Sequence, residues 1–128
     1  MAGPAQAGLF IYAKDLPRLT HFYQTLLSMQ ILHQREELVV LQSPQMQLLL
    51  HAIPANIAAG IDITSPPTRR EDCALKFFFT VDSLAMARTT AAELGGEVFE
   101  QCWNGPGFRV SNACDPEGNI FHLREVTG

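Results

Sequence analysis

Laid over itself at an offset of 68 positions, the chain repeats its own pattern. Gly8 falls on Lys76, Leu9 on Phe77, Phe10 on Phe78, Ile11 on Phe79 and Ala13 on Val81. Further on, Leu16 meets Leu84, Leu19 meets Ala87, Leu26 meets Leu94 and Ile31 meets Phe99. Identities are few, but element order, helix length and apolar phase agree across both halves, which is the signature of a duplicated structural unit. A chain built this way folds as two copies of one small motif.

Each copy reads βαβββ. In the first, "GLFIYAK" is an apolar strand and "DLPRLTHFYQTLL" a helix, with Asp15 as cap and Pro17 in the first turn, where its missing N–H costs nothing. Leu19, Phe22, Tyr23 and Leu26 recur at three- and four-residue intervals, giving one buried stripe. "QILHQRE", "LVVLQS" and "MQLLLHAI" follow as strands, ending at Pro54. In the second copy a helix over about Ser83–Leu94, capped by Asp82 or Ser83, stops on Gly95-Gly96. The strands "EVFEQCW", "GFRVSNA" and "NIFHLREV" complete it. The modules therefore span about 8–54 and 74–126, with "ANIAAGIDITSPPTRREDC" (55–73) as an exposed connector.

Composition narrows the function classes. With 128 residues, nearly half of them hydrophobic, this is one globular domain with a real core. Thirteen acidic against nine basic residues argue against a nucleic-acid footprint, which needs a clustered basic face. Cys73, Cys102 and Cys114 are an odd number with no C-x-x-C pair, so a disulfide framework or structural zinc is not expected and a reducing cytoplasm fits. No apolar run approaches the roughly 20 residues that span a bilayer, and "MAGPAQAG" does not read as a secretory signal.

Near the C-terminus, "DPEGNIFHLRE" joins turn chemistry to a strictly alternating strand. Three stretches, "LFIYAKDLPRLTHFYQTLL", "LKFFFTVDSLAMARTTAAELGGEV" and "DPEGNIFHL", together resemble the glyoxalase/bleomycin-resistance/dioxygenase superfamily, or vicinal oxygen chelate fold. The resemblance covers nearly the whole chain. It implies an α+β fold of two βαβββ modules, each with a curled mixed sheet, enclosing a shared concave pocket with the helices on the convex side.

Strand parity then sorts the side chains. Leu9, Ile11, Ala13, Phe77, Phe79, Val81, Phe121 and Leu123 go under the helices. Gly8, Phe10, Tyr12, Lys76, Phe78, Thr80, Ile120, His122 and Arg124 face the other way, into the implied pocket. Metal-using members of the superfamily place four His or Glu ligands on the first and last strands of the modules. Here those positions fall on Gly8, Lys76, His122 and either Leu49 or, with a two-residue slide, His51. His122 and His51 are thus the only metal candidates, and beside an ammonium they do not make a site. No cofactor is expected, although "EQCWNGPGF" could supply further ligands.

What remains is a pocket with aromatic walls (Phe10, Tyr12, Phe78 and Trp103) and a basic cluster of Lys76, His122 and Arg124, suited to a small anionic or aromatic molecule. Each residue also has a plain alternative. Lys76 could snorkel to solvent, Arg124 could be a surface charge, and His51 could sit in the turn before Pro54. Trp103 could belong to a lid or to an ordinary hairpin. His21 and His33 read as solvated, and Cys114 has no nucleophilic context. Two classes of function stay open. One is a metal-free module that binds a small molecule, homodimeric as in the bleomycin-resistance branch. The other is an enzyme, either a metal-dependent lyase, isomerase or dioxygenase, or a metal-free one using Lys76 or His122 as acid or base.

Overall fold

A computed structural model describes residues 5–127. The chain divides into two compact units, Met1–Asp62 and Ile63–Gly128. The first runs β1 (Gly8–Ala13), α1 (Leu16–Leu27), β2 (Gln30–Gln34), β3 (Leu38–Gln42), β4 (Gln47–Ala52) and a single-turn α2 (Ala55–Ala58). The second runs β5 (Phe78–Val81), α3 (Leu84–Glu93), β6 (Glu97–Gly105), β7 (Phe108–Cys114) and β8 (Ile120–Val126). The two sheets have the same topology, β1-β4-β3-β2 and β5-β8-β7-β6. In each, the first strand pairs parallel to the last and the other pairings are antiparallel. The duplicated βαβββ pattern is therefore the fold.

Local chemistry explains the helices. The Asp15 carboxylate accepts from Arg18 N at 3.2 Å, and the Ser83 hydroxyl, not Asp82, accepts from Met86 N at 3.1 Å. Each side chain satisfies a donor that the first turn leaves without a helical partner. The apolar stripe of α1 (Leu19, Phe22, Tyr23, Leu26) is fully or nearly fully buried against β3 and β4. In the second unit α3 covers the face carrying Phe79, Phe121 and Leu123. The rings of Phe77 and Phe121 stack there with centroids 5.3 Å apart. Each such side chain contributes about 1.5–3 kcal/mol by leaving water.

Parity holds on both sheets. Ile11, Ala13, Leu48 and Leu50 are buried, while Phe10 and Tyr12 on the opposite face of β1 are exposed. In β8, Phe121 and Leu123 are buried and Ile120, His122 and Arg124 are half-buried on the opposite face.

Two local expectations need correction, and a third gains a detail. The strand β6 extends beyond Trp103 to Gly105, and Pro106-Gly107 makes a two-residue hairpin turn, with Gly107 at φ 81°. Of the two readings for that segment, the hairpin is the one observed. The strand β5 begins only at Phe78, so Lys76 and Phe77 precede it, joined to the sheet by His122 N donating to Phe77 O. The connector has mostly exposed side chains, yet its backbone is anchored: Arg70 N donates to Gly118 O, and Arg70 Nε to Glu117 O.

That anchoring decides where β8 starts. The Asp115 carboxylate is fully buried and accepts from Glu117 N, Asn119 N and Asn119 Nδ2, at 2.9, 3.1 and 2.8 Å. Gly118 has φ 87°, and a Cβ built on it would lie 2.0 Å from Thr68 O. Only glycine satisfies both the turn and the approach of the connector.

Candidate functional site

The expected site residues gather into two clusters, one in each unit. On the first sheet Phe10, Tyr12 and His51 form a contiguous ring cluster, with centroids 5.0 to 6.0 Å apart. His51 Nδ1 lies 2.7 Å from Ala52 O. A carbonyl can only accept, so Nδ1 carries a proton. This cluster is aromatic and bears no fixed charge.

The second sheet carries the charge. His122 registers with Phe78 across β5 and with Asn112 across β7, and its ring lies 5.3 Å from that of Phe78. Two residues on, the Arg124 guanidinium sits 3.7 Å from the Phe78 ring centroid and 4.4 Å from that of Phe108. Because β8 lies between β5 and β7, one ring reaches the guanidinium from each neighbouring strand, an arrangement favourable to a partly desolvated cation. Arg124 Nε donates to His122 Nε2 at 3.3 Å. Lys76 joins through Asn112, whose Oδ1 accepts from Lys76 Nζ at 3.2 Å.

These contacts fix the protonation of His122. Its pKa is held below the ordinary value, first by burial, then by the Arg124 and Lys76 charges. The Nε2 lone pair that receives Arg124 requires the neutral ring. Cys114, on the same strand as Asn112, is a buried thiol with its pKa raised to about 11, chiefly by burial, and stays protonated at neutral pH.

Arg124 has no acidic partner among the described residues. The ion pairs there join Arg69 to Glu97 and Arg109 to Glu125. Glu125 is the chain neighbour of Arg124 but lies on the opposite face, where it also accepts from Leu84 N at the start of α3.

Beside this face lies a half-open cavity of about 190 Å³, whose walls include Arg70, Cys73, Lys76, Phe99, Asn112 and Ile120. The connector supplies one wall and the sheet the other. Trp103 lies on the same face of the sheet, since Val110 registers with both Trp103 and Arg124. It sits exposed on the edge strand β6 opposite Val110, without a ring contact to the cluster among the described residues. His33 is exposed on β2, as expected, and Arg35 Nε donates to its Nε2 at 2.9 Å.

Phe108, Asn112 and Arg70 are site residues that the sequence alone did not single out. Alternation in "GFRVSNA" places Phe108, Val110 and Asn112 on one face, so parity carried the signal for the first two. Arg70 had none, since its place depends on the connector docking on a turn 47 residues away.

Comparison with known proteins agrees with this geometry. The model of the Glyoxalase-like domain family matches residues 8–124, and the chain belongs to that family. No curated protein matches it. Among solved structures, a glyoxalase/bleomycin resistance protein/dioxygenase family enzyme from Burkholderia phytofirmans PsJN superposes with a TM-score of 0.72. It is 17% identical, over 97% of this chain and 100% of that one. The bleomycin resistance determinant encoded on transposon Tn5 gives 0.57 at 19% identity, over 98% and 100%. Fosfomycin resistance protein FosX from Mesorhizobium loti gives 0.64 at 12% identity, over 99% and 95%. These likenesses establish the vicinal oxygen chelate fold.

The divalent cation that such a fold implies does not suit the residues present. A Cβ on Gly8 would lie 2.8 Å from Gln47 O, so that position has neither a ligand atom nor room for one. Phe10 registers with Leu49 just as Phe78 registers with His122. The equivalent of His122 is therefore the aliphatic Leu49, and His51 is the equivalent of Arg124. Lys76 is a cation bonded to Asn112, and the His122 lone pair already receives Arg124. Among the described residues no three His, Cys, Asp or Glu side chains form a group able to hold a metal ion, and no helix is long and apolar enough to cross a membrane.

Proposed function

We propose that this glyoxalase-like chain is a metal-independent binding protein for a small organic anion with an aromatic or apolar body. The anion is received on the face of the second sheet formed by Lys76, Phe78, His122 and Arg124. One observation supports the reading above all: Arg124 is a half-buried guanidinium with two aromatic neighbours and no carboxylate of its own among the described residues. A cation so placed has given up part of its hydration, and an incoming anion restores the lost stabilisation. The exposed ring of Phe78, 49% accessible, offers apolar surface beside it. The fold neighbours named for bleomycin and fosfomycin resistance point to a family that handles small organic molecules, which favours a ligand of that size. In this reading the protein works as a homodimer in the reducing cytoplasm, consistent with three free cysteines.

Isothermal titration with a panel of aromatic acids and their neutral amides tests the proposal. Acids bind and amides do not. Equal indifference to both removes the anion site, and stoichiometric zinc, nickel, iron or manganese in protein purified without chelator removes the metal-independent assignment.

A further inference from the structure

Ile120, His122 and Arg124 alternate along one face of β8, and Ile120 is also a wall of the cavity beside the connector. Lys76 belongs to both as well, so the anion-binding face runs into that cavity. Its sheet residues, Phe99, Asn112 and Ile120, are half-buried and form the floor, while Arg70, Glu71 and Lys76 are exposed at the rim. The floor has one polar side chain, Asn112, and chemistry fixes its orientation. An ammonium has donors only, so Asn112 turns Oδ1 to Lys76 Nζ, at 3.2 Å, and carries its amide N–H groups on the side away from that oxygen. Those N–H groups have no acceptor among the described residues. They are not sealed in the interior, because there the only wholly buried side-chain nitrogen or oxygen without a partner is Thr20 Oγ1. A half-buried donor therefore stays open to the solvent side. The corresponding residue of the first sheet, opposite Leu49, is Val40, so the duplicated fold does not by itself require a polar group here.

Size limits what reaches that donor. An apolar cavity of about 150 Å³ holds one benzene, whereas clefts for whole drug-sized molecules start at about 300 Å³. At about 190 Å³ this cavity accommodates one ring or a short branched substituent, not a complete large ligand. Resting on the anion-site reading above, we propose that the cavity selects the substituent of the bound acid: it takes a ring-sized or smaller group bearing a carbonyl or similar hydrogen-bond acceptor, with Asn112 Nδ2 as the donor. Phe99 and Ile120 cover the carbons of that group. A group of the same shape without an acceptor leaves Nδ2 desolvated and unpaired, which is penalised more steeply than a missing methylene. Lys76 is then a positioning residue for the amide, besides adding its charge to the anion face. Arg70 and Glu71 carry opposite charges at the rim, so together they add no net charge to the mouth.

The test titrates benzoate and two near-isosteric pairs, meta- and para-acetylbenzoate against meta- and para-isopropylbenzoate, into the unmodified chain, Asn112→Asp and Asn112→Leu. In at least one pair the acetyl compound is expected to bind about three- to tenfold tighter, the range of one net hydrogen bond. Asn112→Asp keeps the size and the contact with Lys76 but exchanges the donor for an acceptor, and should abolish or reverse the preference. Asn112→Leu should favour the isopropyl compounds. Thermal unfolding of both variants is read in parallel. A further measurement needs no folded variant: the side-chain amide resonances of Asn112 in the unmodified chain shift on adding the preferred acetyl compound and much less on adding its isopropyl twin. Equal or weaker binding of the acetyl compounds by a chain that binds benzoate overturns the acceptor selection and leaves the anion site standing. Unmoved Asn112 resonances, or a preference that survives in both variants, overturn it in the same way. If neither benzoate nor any of the four substituted acids binds, the anion-site reading falls and the selection falls with it.

Discussion

The chain places histidine and arginine two residues apart twice, at His33 and Arg35 in and just after β2 and at His122 and Arg124 on β8. In both, the arginine Nε donates to the histidine Nε2, at 2.9 and 3.3 Å. The local hydrogen bond is therefore the same. The first pair belongs to an edge strand whose five residues are all exposed. The second lies on a strand paired on both sides, with aromatic rings from both neighbours over the guanidinium. A motif two residues apart says little about chemistry until the flanking strands are known; here the flanks set the same local contact in a half-buried place with a ring from each neighbouring strand.

The largest expected effect comes from the turn that sets β8 in place. Gly118→Ala forces a side chain into positive φ and onto the Thr68 carbonyl, and should cost on the order of 3–5 kcal/mol in denaturant unfolding. Gly107 has nearly the same φ, 81° against 87°, but nothing lies within 4 Å of its added Cβ. Gly107→Ala should cost only about 1 kcal/mol. Equal losses at the two glycines would show that backbone strain, and not the docked connector, governs the second unit.

A smaller effect separates the two pairs by titration. His122 should titrate below the ordinary value of about 6.5, as read by NMR of the imidazole. Arg124→Gln should bring it upward by removing one of the two nearby positive charges, while Lys76 and burial keep it from recovering fully. The sign for stability follows from linkage. A histidine with a depressed folded pKa binds protons more readily when unfolded, so its contribution is complete above about pH 6.5 and is lost as pH falls. Arg124→Gln should therefore shrink the acid loss of stability. A midpoint at or above the ordinary value would mean that the imidazole is neither buried nor flanked by charge.

Most of the fold was legible because it rests on local rules. Asp15, Ser83, the apolar stripe of α1 and the alternation of β8 each specify their own element. The faces of Phe10, Phe78, His122 and Arg124 followed from parity alone. What could not be read depends on pairs far apart in sequence. Phe108 over Arg124 requires the β7–β8 register and an empty position at Gly105, and the choice between Leu49 and His51 requires the β1–β4 register. The anchoring of Arg70 on Glu117 requires a connector whose own residues show no periodicity. Register keeps Trp103 on the face of Arg124, through Val110, but on the edge strand β6, two strands from β8 and without a ring contact to the cluster among the described residues.

The smallest expected effect is the most direct test of the comparison. Arg35→Gln and Arg124→Gln change the net charge by the same amount and remove the same kind of hydrogen bond to histidine. At an exposed edge such a contact is worth little, so Arg35→Gln should alter stability by less than about 0.5 kcal/mol and benzoate affinity by less than about twofold. At about 0.15 M salt, screening over about 8 Å removes most of the long-range influence of one surface charge, so any shared loss has to come from the site itself. Benzoate titrated into both variants at that ionic strength separates the two cases. If Arg35→Gln weakens benzoate as much as Arg124→Gln does, net charge is the recognising feature and the rings of Phe78 and Phe108 are incidental. If only Arg124→Gln does, the flanking strands have made one of two identical spacings into the receptor.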